Sequence, residues 1–140
     1  MAEECIFCQI VAGEAEASIA YEDDATMAFM DVGQFHAGHA LVVPRSHIRD
    51  IYGLDEKTGS ALMAAISRVA EGVRDAFQPD GINIWQSNGA PWQEVFHLHF
   101  HVLPRWRDDQ RLRFAPPPRE QPTRRELDER AAKIRAKLAD

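Results

Sequence analysis

The chain has 140 residues, 45% of them hydrophobic and 27% charged, which fits one globular domain and argues against disorder as its dominant state. No run approaches the ~20 apolar residues of a membrane span, and the opening MAEECIFCQI is no secretory leader, so a cytoplasmic protein without a membrane partner is expected. The formal net charge of −6 gives no support for a nucleic-acid partner.

Charge is unevenly spread. Residues 1–31 hold eight acids and no Lys or Arg, whereas residues 104–140 hold eleven bases against seven acids. Cys5 and Cys8, the two cysteines, are too few and too close to staple a secreted domain. Their Cys-x-x-Cys spacing reads as a redox pair, a zinc half-site or two buried thiols. A redox motif should open a long helix, and Gly13 interrupts one here.

Next, Ile19–Glu22 and Thr26–Asp31 read as short strands around an acidic turn at Asp23-Asp24. Ala40-Leu41-Val42-Val43-Pro44 is a brief apolar run closed by proline, as a buried strand is. From Asp55 to Phe77 the spacing predicts a helix: Leu62, Ile66, Val69, Val73 and Phe77 fall on one face, with Asp55 as N-cap and Gln78-Pro79-Asp80-Gly81 as the stop. Gly59 and Gly72 read as small residues that let this helix approach a sheet.

Ile82–Gln86 and Phe96–Leu103 then alternate as strands. Beyond Pro116-Pro117-Pro118, Thr123-Arg-Arg-Glu126 is a capping-box pattern that opens a helix with Leu127, Ala131, Ile134 and Leu138 along one stripe. The class expected is α+β, an antiparallel sheet with a long helix and a C-terminal helix. Residues 1–115 form the body, and 116–140 a proline-rich link and the terminal amphipathic helix.

All six histidines fall in two clusters, His36, His39, His47 and His97, His99, His101. In the second, His alternates with Leu98, Phe100 and Val102, which places the imidazoles on one face of a strand and the apolar residues on the other. Imidazole serves nucleophilic attack, proton transfer or metal ligation near neutral pH. A His-x-His strand also chelates metals, so spacing alone leaves these roles open.

The segment His97-Leu98-His99-Phe100-His101-Val102-Leu103 resembles the signature of the histidine triad (HIT) superfamily of nucleotide hydrolases and transferases. Cys5-Ile-Phe-Cys8, Phe29-Met-Asp31, His39 to Pro44 followed by His47, Asn88-Gly89 and Gln93 fall in family order, so the resemblance spans residues 5–106. It implies a homodimer sharing a continuous sheet. It further implies cleavage of a nucleoside 5′-phosphoryl substrate, a dinucleoside polyphosphate or a phosphoramidate, at the α-phosphorus. A purine nucleotide is the expected substrate, with AMP or GMP released.

By matching position His99 is the nucleophile, oriented by the backbone carbonyl of His97, and His101 bonds phosphoryl oxygens. Gln93 and Asn88 act as neutral donors there, and His39 lines the site. Asp31 accepts the ribose hydroxyls, and Phe29 and Val32 wall the base pocket. The resemblance also implies a structural zinc on Cys5, Cys8, His47 and His97, with no cofactor needed for the chemical step.

One residue departs from the usual pattern. Glu94 stands where Ser or Thr often passes a proton to the leaving group; it is read as a general acid or as a solvent-facing charge. Pro104-Arg105 resembles the polyphosphate-cleaving branch, and Arg105 and Arg107 are read as partners for a distal polyphosphate or as surface charges. The rival functions are a nucleotide-binding module with little turnover and a metal-dependent hydrolase using the histidine strand.

Overall fold

Strand-forming residues with both faces apolar have to sit inside a layered structure, and two segments here have that character. In the computed structural model, which describes residues 4–109 and 119–138, the strands are Ile19–Glu22 (β1), Thr26–Met30 (β2), Ala40–Pro44 (β3), Gly81–Trp85 (β4) and Phe100–Arg105 (β5). They form one antiparallel sheet in the order β1-β2-β3-β5-β4. All five residues of β3 are buried, as are the first four of β2.

Period-two patterning sorts those residues into two layers. Ala28, Ala40, Val42, Leu98 and Val102 face Leu62, Ala65, Ile66, Val69 and Val73 of the long helix Glu56–Phe77. On the opposite face, Met27, Phe29, Leu41 and Val43 pack with Cys5, Phe7 and Ile10 of the N-terminal segment.

That segment contains a six-residue helix, Ile6–Val11 (α1), too short for a periodic signal in the sequence. Cys5 is its N-cap and Gly13, at φ 78°, ends the turn that follows it. The long helix is α2. Asp55 caps it by accepting from the Thr58 N–H at 2.7 Å, and Gln78 closes it in the left-handed conformation. Gly72 does not mediate close packing: a Cβ there would meet nothing within 4 Å.

One strand departs from expectation. Alternation begins at Phe96, yet ladder pairing begins at Phe100, because the Leu98 N–H donates instead to the Ile48 carbonyl at 2.7 Å. The alternation of faces survives through residues 97–99, with Leu98 in the α2 core and His97 and His99 on the α1 side.

Contacts divide the chain into two compact units, Met1–Asp109 and Gln110–Asp140. In the second, the Thr123 N–H donates to Glu126 and the Glu126 N–H returns to Thr123 Oγ1, the reciprocal capping box, opening Arg124–Leu138 (α3). No residue of α3 is buried, and Leu127, Ile134 and Leu138 are exposed. The proline triplet 116–118 lies outside the described residues.

Candidate active site

His99 is buried, and its Nδ1–H donates to the His97 carbonyl at 2.8 Å. That bond fixes the tautomer and leaves the lone pair on Nε2. Phe7 packs edge-on against the His99 ring at 5.2 Å and against Phe29 at 5.1 Å, so α1 braces the imidazole from behind. Burial pushes the His99 pKa below the ordinary imidazole value, against the opposing pull of the His97 bond and of Asp31 and Glu94. A neutral ring with a bare nitrogen is what nucleophilic attack requires.

A cavity of about 830 Å³ opens beside it. Ile6, Phe7, Ile10, Phe29 and Leu41 form an apolar wall, and Asp31, Glu94, His99 and His101 contribute polar groups. Val32 borders the same cavity and is fully exposed. Asp31 follows β2, and its Oδ1 accepts from the Gly33 N–H at 2.9 Å.

The loop from Asp31 to His39 is held by Gln34, which reading the sequence alone did not single out. Its amide donates to the carbonyls of Asp31 and His39, and its Oε1 accepts from the N–H groups of Gly38 and His39. Gly38 has φ 103°, and a Cβ there would lie 2.8 Å from the Phe77 ring, so only glycine fits this turn. His36 adds a second anchor: its Nε2 lies 3.1 Å from the buried Asp109 carboxylate, which also receives the Arg105 guanidinium at 2.6 Å.

His39 Nε2 lies 3.0 Å from His101 Nδ1 and 3.6 Å from Asp31 Oδ2. The nearby carboxylate favours the proton on His39 Nε2, so His101 accepts at Nδ1 and carries its own proton on Nε2. Trp85, opposite His101 across the β4–β5 ladder, stacks on it at 4.3 Å with the rings 2° from parallel. Only strand register brings these two together, so no sequence pattern announced Trp85.

Burial pushes the His101 pKa down to about 3, with smaller contributions from His99 and His39. The unfolded chain therefore binds a proton at this residue from about pH 6.5 downward that the folded chain refuses. Its contribution to stability is complete above pH 6.5 and is lost as the pH falls toward 3. The urea midpoint should fall between pH 7 and 5, and His101→Gln should flatten that decline; an identical slope in the variant would contradict this.

Asn88 and Gln93 sit off the cavity wall. Asn88 Oδ1 accepts from the Ile51 N–H and from Gln86, and Gln93, buried, donates to the carbonyls of Arg49 and Val95 and accepts from the Gly89 N–H. Both pin the loop leading to the histidine strand. Arg105 is occupied by Asp109 and Asn83, and the Arg107 N–H bonds Asp80; neither side chain lines the cavity.

Behind His99 lies a second constellation. One ligand atom each from Cys5, Cys8, His47 and His97 lies within 4.8 Å of all the others. His97 Nδ1 is 3.4 Å from Cys5 Sγ and 3.5 Å from Cys8 Sγ, and His47 Nδ1 is 3.3 Å from Cys8 Sγ. Tetrahedral Zn–S and Zn–N bonds of ~2.3 and ~2.0 Å give S···N edges of about 3.5 Å, so the donors fit a zinc ion. The opposite nitrogen of His97 donates to the Pro44 carbonyl at 2.8 Å, which leaves the lone pair on Nδ1 facing the thiols. Burial, with Cys5 beside it, pushes the Cys8 thiol up to about 11, so binding a cation would displace its proton.

The HIT domain family model matches residues 12–108. The chain belongs to the HIT domain family. Protein hit of Bacillus subtilis is 40% identical over 106 residues, 75% of this chain and 73% of the relative. A crystal structure described as a Zn-bound histidine triad family protein from Mycobacterium smegmatis superposes with a TM-score of 0.75 at 35% identity, covering 100% of both chains. Adenosine 5′-monophosphoramidase hnt1 of Schizosaccharomyces pombe is 32% identical over 102 residues, 72% of this chain and 74% of the relative. The five-stranded antiparallel sheet with its long helix is thus the HIT fold.

Proposed function

We propose that this HIT protein hydrolyses nucleoside 5′-phosphoryl substrates, dinucleoside polyphosphates or phosphoramidates, at the α-phosphorus through a nucleotidyl-His99 intermediate. The observation that carries this is the single cavity in which a neutral, buried His99, its lone pair on Nε2, shares walls with Asp31 and an apolar surface. The purine base packs against Phe29, Ile6 and Ile10, with Val32 at the rim, and Asp31 accepts the ribose hydroxyls.

His99 Nε2 donates its electron pair to phosphorus as the bond to the leaving atom breaks. The leaving atom departs with that bond's electrons and takes up a proton from solvent water at the open side of the cavity. His101 Nε2–H, held by His39 behind it, donates to the phosphoryl oxygens. Water then attacks the nucleotidyl-histidine, the P–N bond breaks, and the mononucleotide and neutral imidazole are released. The name of the S. pombe relative, a monophosphoramidase, supports a phosphoramidate as one substrate.

Cys5, Cys8, His47 and His97 would hold a structural zinc, which cross-links α1 to the strand bearing His99 and supplies no chemistry to the reaction. Residues 1–115 form the HIT domain in this reading and 116–140 the link and terminal helix. β4 is an edge strand with Ile84 exposed, which supports a homodimer joined through that edge at about twice 15.8 kDa.

AMP release from adenosine 5′-phosphoramidate or from diadenosine tetraphosphate tests the activity. Saturable nucleotide binding with no AMP from either would overturn the hydrolase reading in favour of a binding module. A metal-dependent route has one observation in its favour, since Asp31, His39 and His101 also present ligand atoms within 4.8 Å of one another. It requires AMP release without any covalent intermediate and abolished by chelation.

A further inference from the structure

The charge of the cavity carries a consequence for the leaving group. Among the described residues its charged side chains are Glu16, Asp31 and Glu94, which share the lining with His99 and His101. Asp31 has the ribose as its partner in the reading above. Glu94 is left exposed between this cavity and a shallower neighbouring depression of about 400 Å³, also lined by Glu4, His47 and Arg49. Arg49 stacks on the Phe96 ring at 4.3 Å and lies 3.6 Å from Asp50, on the side of Glu94 away from His99 and His101.

Of the two arginines next to the histidine strand, Arg105 is held by Asp109 and Asn83, the Arg107 backbone N–H bonds Asp80, and neither side chain lines the cavity. A nucleoside triphosphate departing from a dinucleoside tetraphosphate would carry several negative charges past these carboxylates. An amine that departs with a distal ammonium would be drawn along the same path.

Resting on the hydrolase reading, we infer that Glu94 sets the charge of the leaving group, selecting phosphoramidates whose leaving amine carries a cation over substrates with an anionic leaving group. The selection is electrostatic and acts at a distance through a solvent-connected cavity, so it weakens with ionic strength. Glu94 is then a specificity residue.

A matched series isolates the effect: adenosine 5′-phosphoramidates of one alkylamine ending in ammonium, methyl or carboxylate, with the P–N bond unchanged. For the wild-type protein, kcat/KM should fall in that order, by about five- to tenfold from first to last, for unit charges several ångströms apart in partly aqueous surroundings. Glu94→Gln should bring the ratio close to one, and Glu94→Lys should reverse it; the wild-type ratio should shrink as salt is raised. Because the readout is a ratio, a general loss of rate in the variants leaves it interpretable.

A wild-type ratio near one, or a ratio that is the same in both variants, overturns the inference while leaving the hydrolase reading intact. No AMP from any member of the series, with any of the three proteins, instead overturns the hydrolase reading and this inference with it.

Discussion

Replacing His99 with Ala should lower kcat by about 10⁴-fold or more while nucleotide affinity changes little, the pattern for loss of a covalent nucleophile. The split is expected because, in the proposed reading, Asp31 and the apolar wall of Phe29, Ile6 and Ile10, which line the cavity, hold the nucleoside, and His99 contributes only at phosphorus. His101→Ala should be milder, about 10²- to 10³-fold, as for the loss of one donor to a developing charge. The ring of His99 packs against Phe7, so the Ala variant should also lose about 1–3 kcal/mol of stability, and thermal unfolding checks that it remains folded. Wild-type turnover in His99→Ala would remove the covalent mechanism; equal loss of binding and turnover would make His99 a binding residue.

Stripping bound metal should be the second large effect, seen in stability first and in activity through it. A six-residue helix has no stability of its own, and α1 is tied to the sheet by Phe7, Ile10 and the Cys5–Cys8–His47–His97 cluster. Without the ion, four ligands that sit within 4.8 Å lose their common partner, and α1 should fray. Phe7 then leaves the back of His99. The melting temperature should fall by about 10 °C or more, since each kcal/mol is worth about 3–6 °C for a domain of this size.

The same cluster predicts one divalent ion per chain by elemental analysis, and cobalt substitution should give thiolate charge-transfer bands that Cys8→Ser weakens. Amide exchange in α1 should quicken after chelation while β2 and β3 stay protected. An unchanged melting temperature and unchanged exchange in a verified metal-free protein would contradict the structural role. Zinc and cobalt should restore stability alike, because the ion serves only as a tetrahedral cross-link.

What was legible in the sequence follows from range. The apolar run Ala40–Pro44 and period 3.6 in Leu62–Phe77 are local signals, and a strand and a helix formed where they pointed, while period two in His97–Val102 set the faces of its segment. The reciprocal Thr123–Glu126 cap is equally local. α1 was not visible because Phe7 and Ile10 alone cannot define a period. The late start of ladder pairing at Phe100 was not visible either, since it depends on the Ile48 carbonyl, fifty residues upstream of Leu98.

The site shows the same division. Alternation places His97, His99 and His101 on one side of a strand, but the two neighbourhoods that separate them come from elsewhere in the chain. His97 meets Cys5 and Cys8 some ninety residues away, and His101 meets His39 and Trp85 through strand pairing. The resemblance to the HIT family grouped the metal-type ligands; composition and spacing did not. Asn88 and Gln93 bond to Gln86, Ile51, Arg49, Val95 and Gly89, partners that the tertiary fold brings to them and no local pattern announces. Gln34 and Asp109 gave no signal beyond being polar, and His36 stood out only as a member of the first histidine cluster.

Covalent attack by His99 is the central claim, and intact-protein mass spectrometry tests it most directly. The protein is mixed briefly with an adenosine 5′-phosphoramidate, quenched in alkaline denaturant, weighed and digested. The account predicts a mass increase of one adenylyl group that maps to residue 99 and is absent from His99→Ala. AMP release at full rate with no adduct at any quench time, and with chelation abolishing it, would contradict the account and favour the metal-dependent route.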